Sequence, residues 1–310
     1  MVMQHSAKGF IPVMLMPFQN DGQIDYPALT RLTEMYLKAG AAGLFANCLS
    51  SEMFELSAEE RLQSIRHIVD VAAGEVPVVA TGTFAGPLTE QADFVKQVYA
   101  AGTEAVIVIT GLLARQEESD AVFNERFHRL LDSTAGVPLG FYECPEPYKR
   151  VLSAEQLGQF VGTGRVTYHK DTCLDIEQIR AKLAATQGHR FGLYDAYMGH
   201  AVESLRAGAA GLSCIQGNFF PELIVWLCRN YDNASLRAEV DEVQDFFIKN
   251  MGVMHDVYPT VAKYSLKQRG VDISTFTRRK VGNFTSTIRA GVEALYGDYS
   301  VLSRNLELVA

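Results

Sequence analysis

The sequence predicts a TIM (β/α)8 barrel followed by a helical C-terminal extension. Three observations carry that expectation. Short apolar, β-branched runs recur eight times, with helical stretches between them. The runs read as continuously apolar rather than cleanly alternating, as strands covered on both faces do. The first strand-to-helix turn also carries no G-x-G-x-x-G, the signature that an open doubly wound sheet would want.

The strands are expected at 11–18, 43–48, 76–82, 105–110, 139–143, 166–170, 190–195 and 211–215. Between them lie helix signals. Ser57-Ala-Glu-Glu60 reads as a capping box, followed by Leu62, Ile65, Ile68, Val69 and Ala72 on one face. Ser153-Ala-Glu-Gln156 is a second box. Gly40, Gly102 and Gly208, each after an alanine, read as the residues that close helices. From about residue 221 onward no good strand remains. No linker rich in Pro, Gly or Ser divides the chain, so residues 1–220 (barrel) and 221–310 (helical extension) are expected to pack as a single structural unit.

Composition excludes several classes. A net charge of −8 over 310 residues argues against nucleic-acid binding, which needs a basic face. No apolar run reaches the length of a membrane span. The stretch from Met1 to Lys8 lacks a signal-peptide layout. The cysteines Cys48, Cys144, Cys173, Cys214 and Cys228 are odd in number, widely spaced and without C-x-x-C. They read as free thiols in a reducing cytoplasm. The seven histidines show no paired ligand spacing and no nucleotide motif appears, so neither metal nor cofactor is expected.

Lys170 is the residue that points to chemistry. It ends the apolar run Val166-Thr-Tyr-His-Lys170, where an ionised amine is costly to bury. Desolvation favours the neutral amine, a nucleophile toward carbonyl carbon. The preceding run, Leu139-Gly-Phe-Tyr142, ends in a tyrosine able to move protons. In a barrel these two ends are adjacent and lie on the catalytic face. The loop Cys48-Leu-Ser-Ser-Glu52 opens onto the same face.

With these pieces in order, the chain resembles the dihydrodipicolinate synthase / N-acetylneuraminate lyase family along nearly its whole length. Pro12-Val-Met-Leu-Met-Pro-Phe18 resembles the family's opening strand. Glu52-Met-Phe-Glu-Leu56-Ser57-Ala-Glu-Glu-Arg61 is similar to its Glu-x-x-x-Leu-Ser-x-x-Glu-Arg stretch. Tyr142-Glu-Cys-Pro145 is similar to its Tyr-Asn-x-Pro, and Lys170-Asp171-Thr172 to its Schiff-base lysine motif. Ala207-Gly208-Ala-Ala-Gly211, Asn218 and Pro221 are similar to the end of its barrel. The resemblance implies a class I aldolase-type lyase with an imine at Lys170 and Tyr142 as acid/base. Its substrate would be pyruvate or a related 2-keto acid, with an aldehyde or sugar-acid partner. It implies that Ser50 and Ser51 hold the substrate carboxylate, and that the protein is a homo-oligomer, commonly a tetramer built from dimers. Tyr168, Glu143 and Cys214 complete the expected substrate-binding set.

The chain also departs from the family. Leu49 stands where the synthase has a relay threonine, and Gly111-Leu112-Leu113 where it has Pro-Tyr-Tyr. Leucine carries no proton, so that relay cannot operate. The family arginine for the second carboxylate aligns near Pro147, with Lys149 or Arg150 as substitutes. Glu143 replaces an asparagine and Tyr168 a glycine. Period two puts Tyr168 and Lys170 on one face and His169 on the other. These changes argue against the lysine-biosynthesis reaction, which stays as one alternative. A keto-acid-binding barrel without turnover is another, against which the retention of both Lys170 and Tyr142 counts. A phosphate-binding barrel is a third, with only the weak glycine pattern at 211–217 to support it.

Overall fold

A computed structural model describes residues 8–308. Eight strands form one parallel sheet: β1 (Gly9–Phe10), β2 (Leu44–Ala46), β3 (Val78–Thr81), β4 (Ala105–Ile109), β5 (Leu139–Tyr142), β6 (Val166–Asp171), β7 (Gly192–Asp195) and β8 (Gly211–Leu212). Their order is β1-β8-β7-β6-β5-β4-β3-β2. The two ends of this sheet meet. Val13 bridges Phe45 of β2 in parallel, with the Met14 N–H donating to the Phe45 carbonyl and the Phe45 N–H to the Pro12 carbonyl, both at 3.0 Å. The sheet is therefore curled into a barrel.

Seven predicted strands overlap observed ones; the first does not. It lies earlier, at Gly9–Phe10, with Val13 as an isolated bridge. Pro12 and Pro17 have no N–H to give to a ladder, so regular pairing cannot run through 11–18. The last strand is also shorter than 211–215, because the chain turns into a 3-10 helix at Ile215–Asn218.

Apart from a single helical turn at Thr110–Leu113, eight helices alternate with the strands among the described residues: α1 (Tyr26–Ala39), α2 (Ala58–Ala72), α3 (Leu88–Ala100), α4 (Asp120–Ser133), α5 (Ala154–Gly162), α6 (Ile176–Ala185), α7 (Ala201–Ala207) and α8 (Pro221–Asn230). The last of these packs against β1 and α1 across the closing seam. Both predicted capping boxes form. The Ser57 hydroxyl accepts from the Glu60 N–H at 3.1 Å while the Glu60 carboxylate accepts from the Ser57 N–H at 2.9 Å. Ser153 and Gln156 exchange the same pair of bonds at 3.1 Å each. Such caps are worth about 1 kcal/mol. Gly40 and Gly208 end α1 and α7 in the left-handed conformation. Helices α9 (Arg237–Lys249), α10 (Met251–His255), α11 (Thr260–Gln268) and α12 (Ser286–Asn305) follow.

Two apolar clusters divide the molecule. The larger fills the layer between sheet and helices and continues into the C-terminal helices. The smaller is the barrel interior, with Val13, Phe45, Ile107, Tyr142, Tyr168 and Tyr194 among its members. Gly140 makes one interior position possible. A Cβ there would come within 2.8 Å of the Tyr168 Cβ and 2.7 Å of Ile107, so the glycine on β5 admits the tyrosine of β6.

Candidate active site

Strand register builds the site. Tyr142 pairs with Lys170 between β5 and β6, and Lys170 pairs with Tyr194 between β6 and β7. All three side chains thus leave the C-terminal ends of neighbouring strands. The Lys170 Nζ lies 4.2 Å from the centre of the Tyr142 ring and 6.0 Å from that of Phe45. Lys170 is 4% exposed and, among the described residues, forms no ion pair. Burial pulls its pKa down, against the opposing influence of Cys48, Cys144 and Cys214 around it. Burial pushes the Tyr142 hydroxyl well above the ordinary phenol value. The Cys144 and Cys214 thiols are raised to about 11 and about 12, again by burial.

Tyr168 points into the barrel with Lys170, one pleat deeper, as alternation requires. It stacks on Tyr194 at 4.8 Å and meets Phe45 edge-on at 6.0 Å. Its hydroxyl donates to Ser213 Oγ at 3.4 Å, so it closes the floor beneath the amine.

The loop that carries Ser50 and Ser51 is a single 3-10 turn, Leu49–Ser51. Its two serines differ. The Ser51 hydroxyl donates to the Met14 carbonyl at 2.6 Å, which spends its proton inside the protein. Ser50 Oγ instead accepts from the Tyr258 hydroxyl at 2.8 Å. Glu52, which ends the turn, is a non-glycine residue at φ 55°. Its buried carboxylate takes the Lys263 ammonium at 2.8 Å and the Arg279 N–H at 2.9 Å, and these bonds hold the uncommon conformation.

Glu143 is not brought to this group. With Tyr142 facing inward, Glu143 faces the helices. Its carboxylate accepts from the N–H groups of Leu152 (3.0 Å) and Thr172 (3.1 Å) and from Lys182 Nζ of α6 at 2.7 Å. Asp171 accepts from the same ammonium at 2.6 Å. His169 Nε2 lies 3.3 Å from both carboxylates but is aligned with neither. Glu143, His169 and Asp171 have the spacing of a metal-ligand cluster, yet the Lys182 ammonium fills the point between the carboxylates.

At the mouth, Arg150 is spent on Asp120, the Tyr148 hydroxyl and the Arg115 and Glu118 carbonyls. Lys149 is exposed, donates to the Thr172 carbonyl at 2.8 Å, and lies near enough to Lys170 to depress its pKa further. Leu49 and Leu112 pack half-buried against the interior cluster. A hollow of about 630 Å³ lined by Arg180, Thr186, His189 and Gly208 lies at the opposite end, before β7 and β8, away from this group. Tyr258 and Phe45 were missed by sequence reasoning. Phe45 carries an inward strand position that alternation would have found. Tyr258 follows the barrel in sequence and carries no periodic signal.

Fold and mouth together define the class: a (β/α)8-barrel lyase of the aldolase type. The chain belongs to the Dihydrodipicolinate synthetase family, whose model matches residues 6–297. It is 26% identical to the 4-hydroxy-tetrahydrodipicolinate synthase of Hyphomonas neptunium over 264 residues, covering 85% of this chain and 88% of that protein. It is 25% identical to the enzyme of the same name from Ruegeria pomeroyi over 291 residues, covering 93% and 97%. Among solved structures it is similar to YagE, a prophage protein of the dihydrodipicolinic acid synthase family from E. coli K12 in complex with pyruvate. That similarity has a TM-score of 0.83 at 23% identity and covers 97% of this chain and 99% of that one.

Proposed function

We propose that the protein is a Schiff-base-forming lyase acting on pyruvate or a related 2-keto acid. The observation that carries this reading is a buried amine, free of any carboxylate partner, set against a phenol at the ends of adjacent strands. The neutral Lys170 amine attacks the keto carbon, and loss of water leaves an imine. The imine draws electrons from the neighbouring carbon, which gives up a proton through Tyr142 to form an enamine. The enamine carbon then attacks the carbonyl carbon of an aldehyde, whose oxygen takes a proton. Hydrolysis of the imine releases product and restores the amine. In the reverse direction the same carbon–carbon bond breaks.

Ser50 supplies a hydroxyl for the keto-acid carboxylate, and the start of the Leu49–Ser51 turn supplies backbone N–H groups. Ser51 acts through position rather than its hydroxyl, and Glu143 supports the strands rather than touching substrate. Lys149 is the cation available for a charged group on the second substrate. Leu49 and Leu112 favour a partner less polar than aspartate semialdehyde beside it. Assembly as a homo-oligomer and a cytoplasmic setting belong to the same reading, and the five free cysteines suit the latter.

Borohydride reduction in the presence of a 2-keto-acid panel, read by peptide mass spectrometry, tests the mechanism. A reduced adduct on Lys170 is expected, absent in Lys170→Ala. An adduct on another lysine, or turnover retained by Lys170→Ala, sinks it.

A further inference from the structure

The hydrogen-bond chain that ends at Ser50 has a fixed direction. The Val13 carbonyl can only accept, so the amide nitrogen of Asn218 faces it, at 2.9 Å. The amide oxygen then faces the Tyr36 hydroxyl, which donates to it at 2.5 Å. The second hydrogen on the Asn218 nitrogen goes to the Tyr258 oxygen at 2.6 Å. Having accepted there, Tyr258 directs its own proton to Ser50 Oγ at 2.8 Å. Ser50 accepts in turn, which leaves its proton without an acceptor among the described residues. The carbonyl and the amide oxygen can only accept, and among the described residues the Tyr258 proton has no acceptor other than Ser50 Oγ. Asn218 and Ser50 are buried, and Tyr258 lies close enough to Tyr142 to influence its titration. The chain therefore ends at a buried hydroxyl, with Tyr258 near Tyr142, rather than at the surface.

We propose that Tyr258, delivered by the C-terminal extension, is a positioning residue that locks Ser50 as a hydrogen-bond donor toward the substrate's carboxylate. The proposal rests on the reading that places a keto-acid carboxylate at Ser50. It makes the extension part of the binding site, and it gives Tyr258 a task that the barrel residues Leu49 and Leu112 have no polar atom to perform. Asn218 sets the direction, Tyr258 transmits it, and Ser50 delivers it. Bonds from neutral donors to a charged acceptor are the stronger kind, so orientation of this one donor is felt in affinity.

A double-mutant cycle tests it. Tyr258→Phe keeps the ring and removes the hydroxyl; Ser50→Ala removes the donor; Ser50→Thr retains it. Two readouts are used: the half-saturating concentration for borohydride trapping, and direct binding by ligand-observed NMR. The probes are pyruvate and its neutral methyl ester. Tyr258→Phe and Ser50→Ala should each weaken pyruvate about tenfold, the size expected for one hydrogen bond to a charged group. The double variant should lose no more than Ser50→Ala alone. Ser50→Thr should restore affinity, and the ester should be affected much less than pyruvate in every variant. Additive losses, equal losses for the ester, or unchanged affinity overturn the proposal. Tyr258→Met, of similar length and without a hydroxyl, replaces the phenylalanine variant if thermal melting shows that variant unfolded.

The two readouts separate the failures. An adduct on Lys170 with affinity indifferent to Tyr258 leaves the Schiff-base reading standing and removes this proposal. NMR binding with the predicted variant pattern but no adduct does the reverse. No pyruvate binding to the unmodified protein by either readout removes both.

Discussion

Burial acts in opposite senses on the two groups that meet at the mouth. It lowers the Lys170 pKa and so favours the amine with a free electron pair. It raises that of Tyr142 and so keeps the phenol protonated until a proton is demanded of it. In the proposed mechanism, one dry setting thus prepares a nucleophile and an acid together. Tyr142→Phe keeps the ring against Lys170 and removes only the proton carrier. Deuterium exchange at the methyl carbon of pyruvate in D2O should fall by about 10²–10⁴-fold, the usual contribution of a positioned acid/base. Adduct formation at saturating pyruvate should persist, and an unchanged exchange rate would free Tyr142 of its role. At this scale the sequence was informative where period two applied. It placed Tyr168 and Lys170 on one face and His169 on the other. The same rule assigns Glu143 outward, and its candidacy as a substrate contact came from motif position alone. Ser50 and Ser51 looked equivalent as letters. Only the nearby Met14 carbonyl and the distant Tyr258 hydroxyl distinguish them.

At the scale of elements, β5 and β6 are joined twice: by their ladder, and by the polar group on their outer face. Glu143 leaves the end of β5, His169 and Asp171 flank Lys170 on β6, and Lys182 reaches in from α6. Burial works to raise the pKa of Asp171, but His169 and then the Lys182 ammonium beside it hold it far below the ordinary carboxylate range. Burial disfavours a charge on His169, but the two carboxylates outweigh it and raise its pKa. Lys182→Met fills similar space and strands two buried carboxylates. Breaking a buried pair in this way costs about 3–5 kcal/mol. Urea unfolding should register that loss, whereas a change under 1 kcal/mol would show that water replaces the ammonium. Strand positions were legible because continuous apolar runs marked them. The first was misplaced because a proline-punctuated apolar run looks like a strand by composition and lacks the N–H groups to be one.

The whole molecule is a barrel strapped by its own C-terminal segment. Arg278 donates to the Glu60 carboxylate and to the Gly22 and Glu55 carbonyls, while Lys263 reaches Glu52. The Arg278 guanidinium holds Glu60 at about 2, below its ordinary 4.5. A depressed carboxylate contributes stability that is complete above the unfolded value and is lost as pH falls through the folded one. The window here runs from 4.5 down to about 2. Melting temperatures of the unmodified protein and Arg278→Met should therefore differ most above that window and converge through it. A gap that stays constant down to pH 2 would assign the effect to packing. The helical character of the extension was legible in sequence, but its contacts were not. Arg278, Lys263 and Tyr258 have no local pattern that says what they will touch, because Glu60, Glu52 and Ser50, which they bond, lie in the first quarter of the chain.

Lys182 clamps from behind the two strands whose front edges carry the amine and the phenol. The spacing between those groups is thus set by residues that no substrate meets. The leucines, on single helical turns, and Lys149, on the segment after β5, sit around the mouth outside that clamp. On the proposed reading, descendants of such a barrel exchange one aldehyde for another by changing the lip, while the amine and the phenol pass down intact.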